Sequence, residues 1–196
     1  MIAFHSIKRW TIALLIALVG VGLLRIFALT TFRLPDGDFV VVNRWSYGLR
    51  LPLPSLLGYK RVGTEAPMEK GDRVVFDNPL EEGSLEFRQV FMGYCAAGPG
   101  DTIRLNGGFF RIPRKGEFVE INPTNRLLLQ EVLLRHEHTQ ALIGTDGRLY
   151  IGGLPIRKVR LTHEYYWMLN PKPFPQLDSR TFGLLPMELV IGRIIR

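Results

Sequence analysis

Few side chains in this 196-residue chain carry reactive chemistry of their own. Cys95 is the only cysteine, so no disulfide can close within the chain, and cysteine usage leaves the redox compartment undetermined. It lies in the apolar stretch VFMGYCAAG without a cationic neighbour, a setting for a buried and inert thiol. His136 and His138 straddle Glu137, but side chains two apart on a helix do not face each other, so no metal site is expected there. His5 and His163 are isolated in sequence. Neither a metal nor a cofactor is expected. The 25 Lys and Arg exceed the 18 Asp and Glu, and the net charge of +7 favours an anionic lipid surface and a nucleic acid by the same Coulomb attraction. The arginines are scattered, with no basic helix and no basic run interleaved with aromatics, so nucleic acid is not an expected partner.

The elements that would position any site are legible in the pattern. After Lys8 and Arg9, the stretch Trp10 to Leu24 has no charge; Arg25 follows, then Ile26 to Phe32. As one helix over residues 10–32 this reaches the roughly 20 residues needed to cross hydrocarbon, with Arg25 close enough to its end to snorkel. A cleaved signal is the competing reading, because Thr11 to Leu24 has the length of a signal-peptide apolar region. A retained anchor is favoured, since Phe27, Leu29 and Phe32 crowd the positions where a small-residue cleavage site belongs. Lys8 and Arg9 then put residues 1–9 in the cytoplasm and the rest across the membrane, although Arg25 and Arg33 blur the bias.

From Pro35 the pattern becomes short apolar runs between turns: FVVVN (39–43), RVVF (73–76), QVFMGYCAA (89–97), TIRL (102–105), GFFRI (108–112), RLYI (148–151), EYYWML (164–169) and ELVIGRII (188–195). One amphipathic helix interrupts them, capped by Thr124 after Pro123, with Leu128, Leu129, Val132 and Leu133 on one face, and reaching about His136. The expected fold is therefore mainly β over residues 33–196, with a small helical insertion at 111–138, behind one N-terminal transmembrane helix. The segment LPLPSLLGY (51–59) fits neither template, because Pro52 and Pro54 exclude a regular helix and a central strand. It either dips into the membrane interface or covers the β core.

Three stretches together resemble the type I signal peptidases, membrane-bound serine endopeptidases that remove signal peptides from exported proteins. GDFVVVNRWSYGLRLP (37–52) is similar to the segment after the family's nucleophile. GDRVVF (71–76) and AAGPGDTI (96–103) are similar to its Gly-Asp strand box and to the Pro-Gly-Asp turn closing the lysine strand. LDSRTFGLLP (177–186) resembles its final box. Singly these are common turns, since Gly supplies positive φ and Asp bonds its own turn. In this order, behind an N-terminal span, they cover nearly the whole chain. The resemblance gives framework roles to Gly37, Asp38, Gly71, Asp72, Pro99, Gly100, Asp101, Asp178, Ser179, Arg180 and Gly183, with Asp178 and Arg180 forming a structural ion pair. The insertion at 111–136 looks like a helical cap found in some members.

The same resemblance exposes what is missing. The family's chemistry needs a serine hydroxyl and a lysine amine kept neutral by desolvation, because an ammonium cannot accept a proton. The serine segment should lie between an Ile-Pro-like dipeptide and Gly-Asp, but here Leu34-Pro35 leads through Asp36 directly into Gly37-Asp38. Eight residues before Asp101, where the lysine belongs, stands Gly93, followed by Tyr94. Arg88, the nearest upstream cation, cannot substitute, because guanidinium stays protonated. The Gly-Asp-Asn-Arg-like turn reads Asn170-Pro171-Lys172-Pro173-Phe174-Pro175-Gln176, and Gln176 replaces a hydroxyl that commonly supports the lysine. If the alignment is right, Gly93 lies across a cleft from Pro35 and Asp36. A relocated Ser46/Lys172 pair is the sharpest active alternative. The expected protein is a membrane-anchored homologue without Ser/Lys chemistry, which binds extended peptides at a sheet edge, in contact with membrane lipid and with exported preproteins or another signal peptidase. A divergent active endopeptidase and a tethered β domain with no peptide groove are the alternatives.

Overall fold

A computed structural model describes residues 2–51, 59–63, 66–105, 107–170 and 177–195. The apolar loop at 52–58 and the rewritten turn at 171–176, with Lys172 and Gln176, lie outside the described residues. The first element is α1, Ile2–Ala28. It ends at Ala28 and not near Phe32, because the β-branched pair Thr30-Thr31 begins strand β1, Leu29–Arg33. Ile12, Leu14, Leu15, Ile16, Leu18, Val19 and Val21 are all exposed, at positions that go right round the helix. Among the described residues no helix is long and apolar enough to cross a membrane.

The body is a seven-stranded sheet in the order β1-β2-β16-β5-β6-β14-β15, antiparallel throughout. Its strands are β1, β2 (Phe39–Asn43), β5 (Arg73–Asp77), β6 (Val90–Ala97), β14 (Tyr165–Leu169), β15 (Leu185–Pro186) and β16 (Val190–Ile194). The expected runs at 39–43, 73–76, 89–97, 164–169 and 188–195 all supply strands of this sheet. Two short strands, β3 (Leu49–Arg50) and β4 (Arg61–Val62), pair beside it. Period-two alternation divides the sheet between two apolar clusters. Leu34, Val40, Val42, Val75, Met92 and Ile191 make one. Val74, Phe76, Cys95, Tyr166 and Met168 belong to the other, with Leu177, Phe182 and Leu189.

A second body, the cap, occupies the chain between β6 and β14. It holds the hairpin β7 (Thr102–Leu105) and β8 (Gly108–Arg111), the pair β9 (Phe118–Glu120) and β13 (Lys158–Arg160), and a three-stranded sheet of β10 (Ala141–Ile143), β11 (Leu149–Ile151) and β12 (Leu154–Ile156). The insertion is thus larger than residues 111–138 and mostly β. Its helix α2, Arg126–Arg135, follows Asn125 and not Thr124. Asn125 Oδ1 accepts from the Asn122 amide at 2.9 Å and its Nδ2 donates to the Glu120 carbonyl at 2.9 Å, which holds the chain in the turn that begins α2. Leu128, Leu129, Val132 and Leu133 face inward as their spacing requires, against Ile112, Ala141, Leu149 and Leu161.

Candidate functional site

The hairpin of β1 and β2 closes where the family resemblance places the serine segment. The Leu34 amide donates to the Asp38 carbonyl at 2.8 Å and the Gly37 amide to the Leu34 carbonyl at 2.9 Å. Gly37 takes φ +89, and the Asp38 amide bonds Asp36 Oδ1 at 3.1 Å. Arg33 and Phe39 face each other as the last paired residues, so the connection is complete within residues 34–38 and carries no hydroxyl. Gly93 is on β6 opposite Val74. A Cβ there would stand 3.1 Å from the Leu169 carbonyl oxygen and 3.4 Å from the Phe76 ring. Leu34, next to Pro35, and Met92, next to Gly93, belong to one apolar cluster. A side chain at position 93 itself would leave on the Phe76 side. Gly71, Arg73, Met92, Gly93 and Tyr94 line a depression of 240 Å³ at the surface.

The motif carboxylates hold turns. Asp72 Oδ2 accepts from the Tyr47 hydroxyl at 2.7 Å and the Glu69 amide at 3.1 Å, and Oδ1 pairs with Arg193 at 3.0 Å. Burial pushes its carboxyl up, but these donors outweigh burial and hold it below the usual range. Asp101 accepts from the Gly98 amide at 2.8 Å and pairs with Lys70 at 3.0 Å, across a turn in which Gly100 takes φ +95. In the last box, Asp178 caps a short helix α3, Ser179–Phe182, by accepting from the Arg180 amide at 2.9 Å, and pairs with the Arg180 guanidinium at 2.6 Å. Buried Ser179 accepts from the Met168 amide at 2.7 Å and so ties α3 to β14. Gly183 ends that turn at φ +83. Each of these groups has framework partners, and none of them holds a free nucleophile.

Ser46 follows β2 in the turn whose Trp45 amide bonds Asn43 Oδ1 at 2.9 Å. Its hydroxyl is buried without a hydrogen-bond partner, so it does not make the backbone bond usual for a turn serine and has no base beside it among the described residues. Close to this turn lies the most buried charge of the sheet. Arg50 and Asp77 form a direct ion pair, both shielded from solvent, with Arg44 and Arg61 nearby. Desolvation raises the Asp77 carboxyl, against the pull of Arg50. Arg61 spends its donors on the carbonyls of Gly48 at 3.0 Å and Met187 at 2.8 Å, and also on that of Val190. Cys95 is buried, and desolvation lifts its thiol to about 12, so it is inert at neutral pH.

His163 is not isolated. Its Nδ1 stands 3.3 Å from Glu137 Oε1 and its Nε2 3.0 Å from Glu188 Oε1. Glu137 also accepts from the Thr162 amide at 2.8 Å, the Thr162 hydroxyl at 2.6 Å and the Tyr165 hydroxyl at 2.9 Å. Burial raises the Glu137 carboxyl, but these donors overcome it and leave the group below its ordinary range. The cluster joins the cap, through Glu137, to the final segment of the main sheet, through Glu188. Sequence reading missed it because its members are brought together by the return from the cap into β14. Thr162-His163-Glu164 beside EYYWML was the only local hint. His136 lies buried next to it, and desolvation first, then Arg135 and His163, lower its imidazole to about 4. His138 sits at φ +48, outside α2. Among the described residues no group of three or more His, Cys, Asp or Glu is arranged to hold a metal ion.

Comparison with known proteins bears on this arrangement. The family model described as signal peptidase, peptidase S26, matches residues 7–196. A signal peptidase I of Pseudomonas fluorescens is 27% identical over 197 residues, which covers 87% of this chain and 64% of that protein. A signal peptidase I of Pseudomonas aeruginosa is 34% identical over 90 residues, covering 41% of this chain and 28% of that protein. The chain spans less than two thirds of the length of these curated relatives.

Proposed function

This chain belongs to the signal peptidase family, peptidase S26, and on that premise we propose that it is a membrane-anchored member without serine–lysine chemistry, acting as a binding or accessory protein in the handling of exported preproteins. Signal peptide processing is the function of the family. The observation that supports the finer reading is found at the two positions that the resemblance aligns with the serine and the lysine: β1 and β2 connect directly through residues 34–38, and position 93 has no side chain to accept a proton. A hydroxyl and a neutral amine must both be present for this family's mechanism. The 240 Å³ depression beside Met92 and Gly93 is suited to one apolar side chain of an extended peptide.

Anchoring is supported by α1, whose described apolar side chains between Trp10 and Leu23 are exposed all round the helix. The outer face of the adjoining hairpin continues this surface: Leu29, Phe39 and Val41 are exposed, with Arg33 over the Phe39 ring and Trp45 at the hairpin base. Membrane lipid is the partner these residues fit, and Arg9 with Lys8 ahead of the apolar stretch puts the β body on the outer side. The second reading, a divergent endopeptidase, draws on the unpartnered Ser46 hydroxyl, with Lys172 as its base. Size-exclusion of full-length protein in detergent micelles with a signal-peptide-bearing precursor separates these readings. The proposal expects an intact precursor to co-elute and Tyr94→Arg to weaken that association. A precursor that never co-elutes would leave only the reading without a peptide groove, and a shortened one would establish the enzyme.

A further inference from the structure

The junction between cap and main sheet holds two adjoining clefts that share Pro67, Lys115 and Glu164. One, of 490 Å³, has Met68, Gly98, Pro99 and Tyr166 along its floor and Lys70, Asp101 and Arg114 at its rim. The other, of 380 Å³, continues past His163 to Tyr59, Arg61, Met187 and Glu188. One side of this passage is the extended segment 66–70, and the other is the turn at 113–116 of the cap. Neither cleft includes residues of the Leu34–Asp38 turn or Gly93, so the passage is separate from the degenerate family site.

Charge in the passage is unevenly satisfied. Lys70 pairs with Asp101, the Arg61 guanidinium donates to the Gly48 and Met187 carbonyls, and Glu188 lies 3.0 Å from His163 Nε2. On the cap side, Arg111 is paired with Glu117 at 3.1 Å and Arg160 donates to the Gly116 carbonyl at 2.9 Å. Arg114 and Lys115, at the rim of the passage, are exposed, and neither side chain makes a close ion pair among the described residues. Glu117 accepts from the Arg114 amide at 2.8 Å, and its single carboxylate interacts electrostatically with both Arg111 and the Arg114 guanidinium. That guanidinium is held over the Pro99-Gly100 turn, where a Cβ on Gly100 would approach its Nη2 to 3.3 Å. The remaining carboxylate of the lining is Glu164, which receives the Tyr166 hydroxyl at 3.4 Å. Arg111, Arg114 and Lys115 thus outnumber the single carboxylate of Glu117 beside a floor of Met68, Pro99 and Tyr166.

We propose that the cap–sheet passage is a docking site for an extended acidic segment of a partner protein, with its carboxylates on Arg114 and Lys115 and its apolar side chains on the Met68–Tyr166 floor. Guanidinium and ammonium so placed favour carboxylates through charge-assisted hydrogen bonds, and an apolar floor selects alternate side chains of an extended strand. The site does not depend on how Gly93 and the closed hairpin are read. Fluorescence anisotropy with the full-length protein in detergent tests it, using a labelled peptide of alternating Leu and Asp and a matched peptide of alternating Leu and Lys as probes. The acidic peptide binds and the basic one does not, and binding weakens with added salt. Arg114→Glu with Lys115→Glu reduces affinity by roughly tenfold or more. Arg104→Glu, an exposed cation on β7, and Tyr94→Arg leave it unchanged. Equal binding of both peptides, no binding of the acidic one up to about 1 mM, or indifference to the double charge reversal would overturn the proposal. Circular dichroism of the double variant establishes that a loss of binding is not a loss of fold.

Discussion

The Gly93 end of the main sheet and the His163 junction beneath the cap differ in what surrounds them. At the first, the positions that the resemblance aligns with the family's serine and lysine are a closed turn after Leu34 and a glycine beside Met92 and Phe76. At the second, Glu137, His163, Glu188, Tyr165 and Thr162 form a dense polar network that links two bodies. The comparison teaches that the framework motifs and the reactive positions are separable. Asp72, Asp101 and Asp178 still hold their turns because turns need a carboxylate acceptor whether or not a reaction takes place nearby.

Four perturbations break or sharpen this contrast. Asp77→Ala strands Arg50 as an uncompensated buried cation and should cost about 3–5 kcal/mol, read as a drop in the denaturant midpoint for the whole β body. Acid should act next, and on the cap. His136 is kept neutral in the fold, with its imidazole lowered from 6.5 to about 4, whereas the unfolded chain takes up a proton near 6.5. Its contribution is therefore intact above that pH and is lost as pH falls towards 4. Glu137, also lowered, adds to the loss at the acid end of the window. The expected total is on the order of 2–3 kcal/mol, checked by thermal melts across pH 7 to 4, and His136→Phe should flatten the upper part of that profile. A flat profile in the wild type would contradict the burial assigned to His136.

Smaller effects are expected at the last motif and on the surface. Ser179→Ala leaves the buried Met168 amide without an acceptor and should cost about 1–3 kcal/mol, with no change in any peptide binding at the cap. Arg111→Ala breaks an exposed pair with Glu117 and should shift stability by about 0–1 kcal/mol. If Arg111→Ala proved as damaging as Asp77→Ala, the contrast between a buried, partnered framework and a solvated rim would fail.

Much of the main sheet was legible because its strands alternate cleanly and are bounded by turn signals, Gly-Asp before β2 and β5 and Pro-Gly-Asp after β6. FVVVN and RVVF became β2 and β5 almost residue for residue, whereas ELVIGRII supplied β16 only from Val190 to Ile194. β1 was hidden, since Leu29–Arg33 reads as the end of an apolar span until Thr30 and Thr31 are weighed against it. The cap was underestimated for a different reason. Its strands, such as Phe118–Glu120 and Leu154–Ile156, are three residues long, too short for periodicity to register. Cys95 was readable as an inert thiol from its apolar neighbours alone. The His163 cluster was not, because Glu137 and Glu188 come from segments far apart in sequence and only the topology unites them.

The central claim is that the chain holds a signal-peptidase framework without the family's chemistry. It is tested most directly by incubating full-length protein in detergent, at high concentration, with an exported precursor and searching by mass spectrometry for a new amino terminus. The account predicts no product from the wild type. A cleaved precursor whose formation disappears in Ser46→Ala would contradict it.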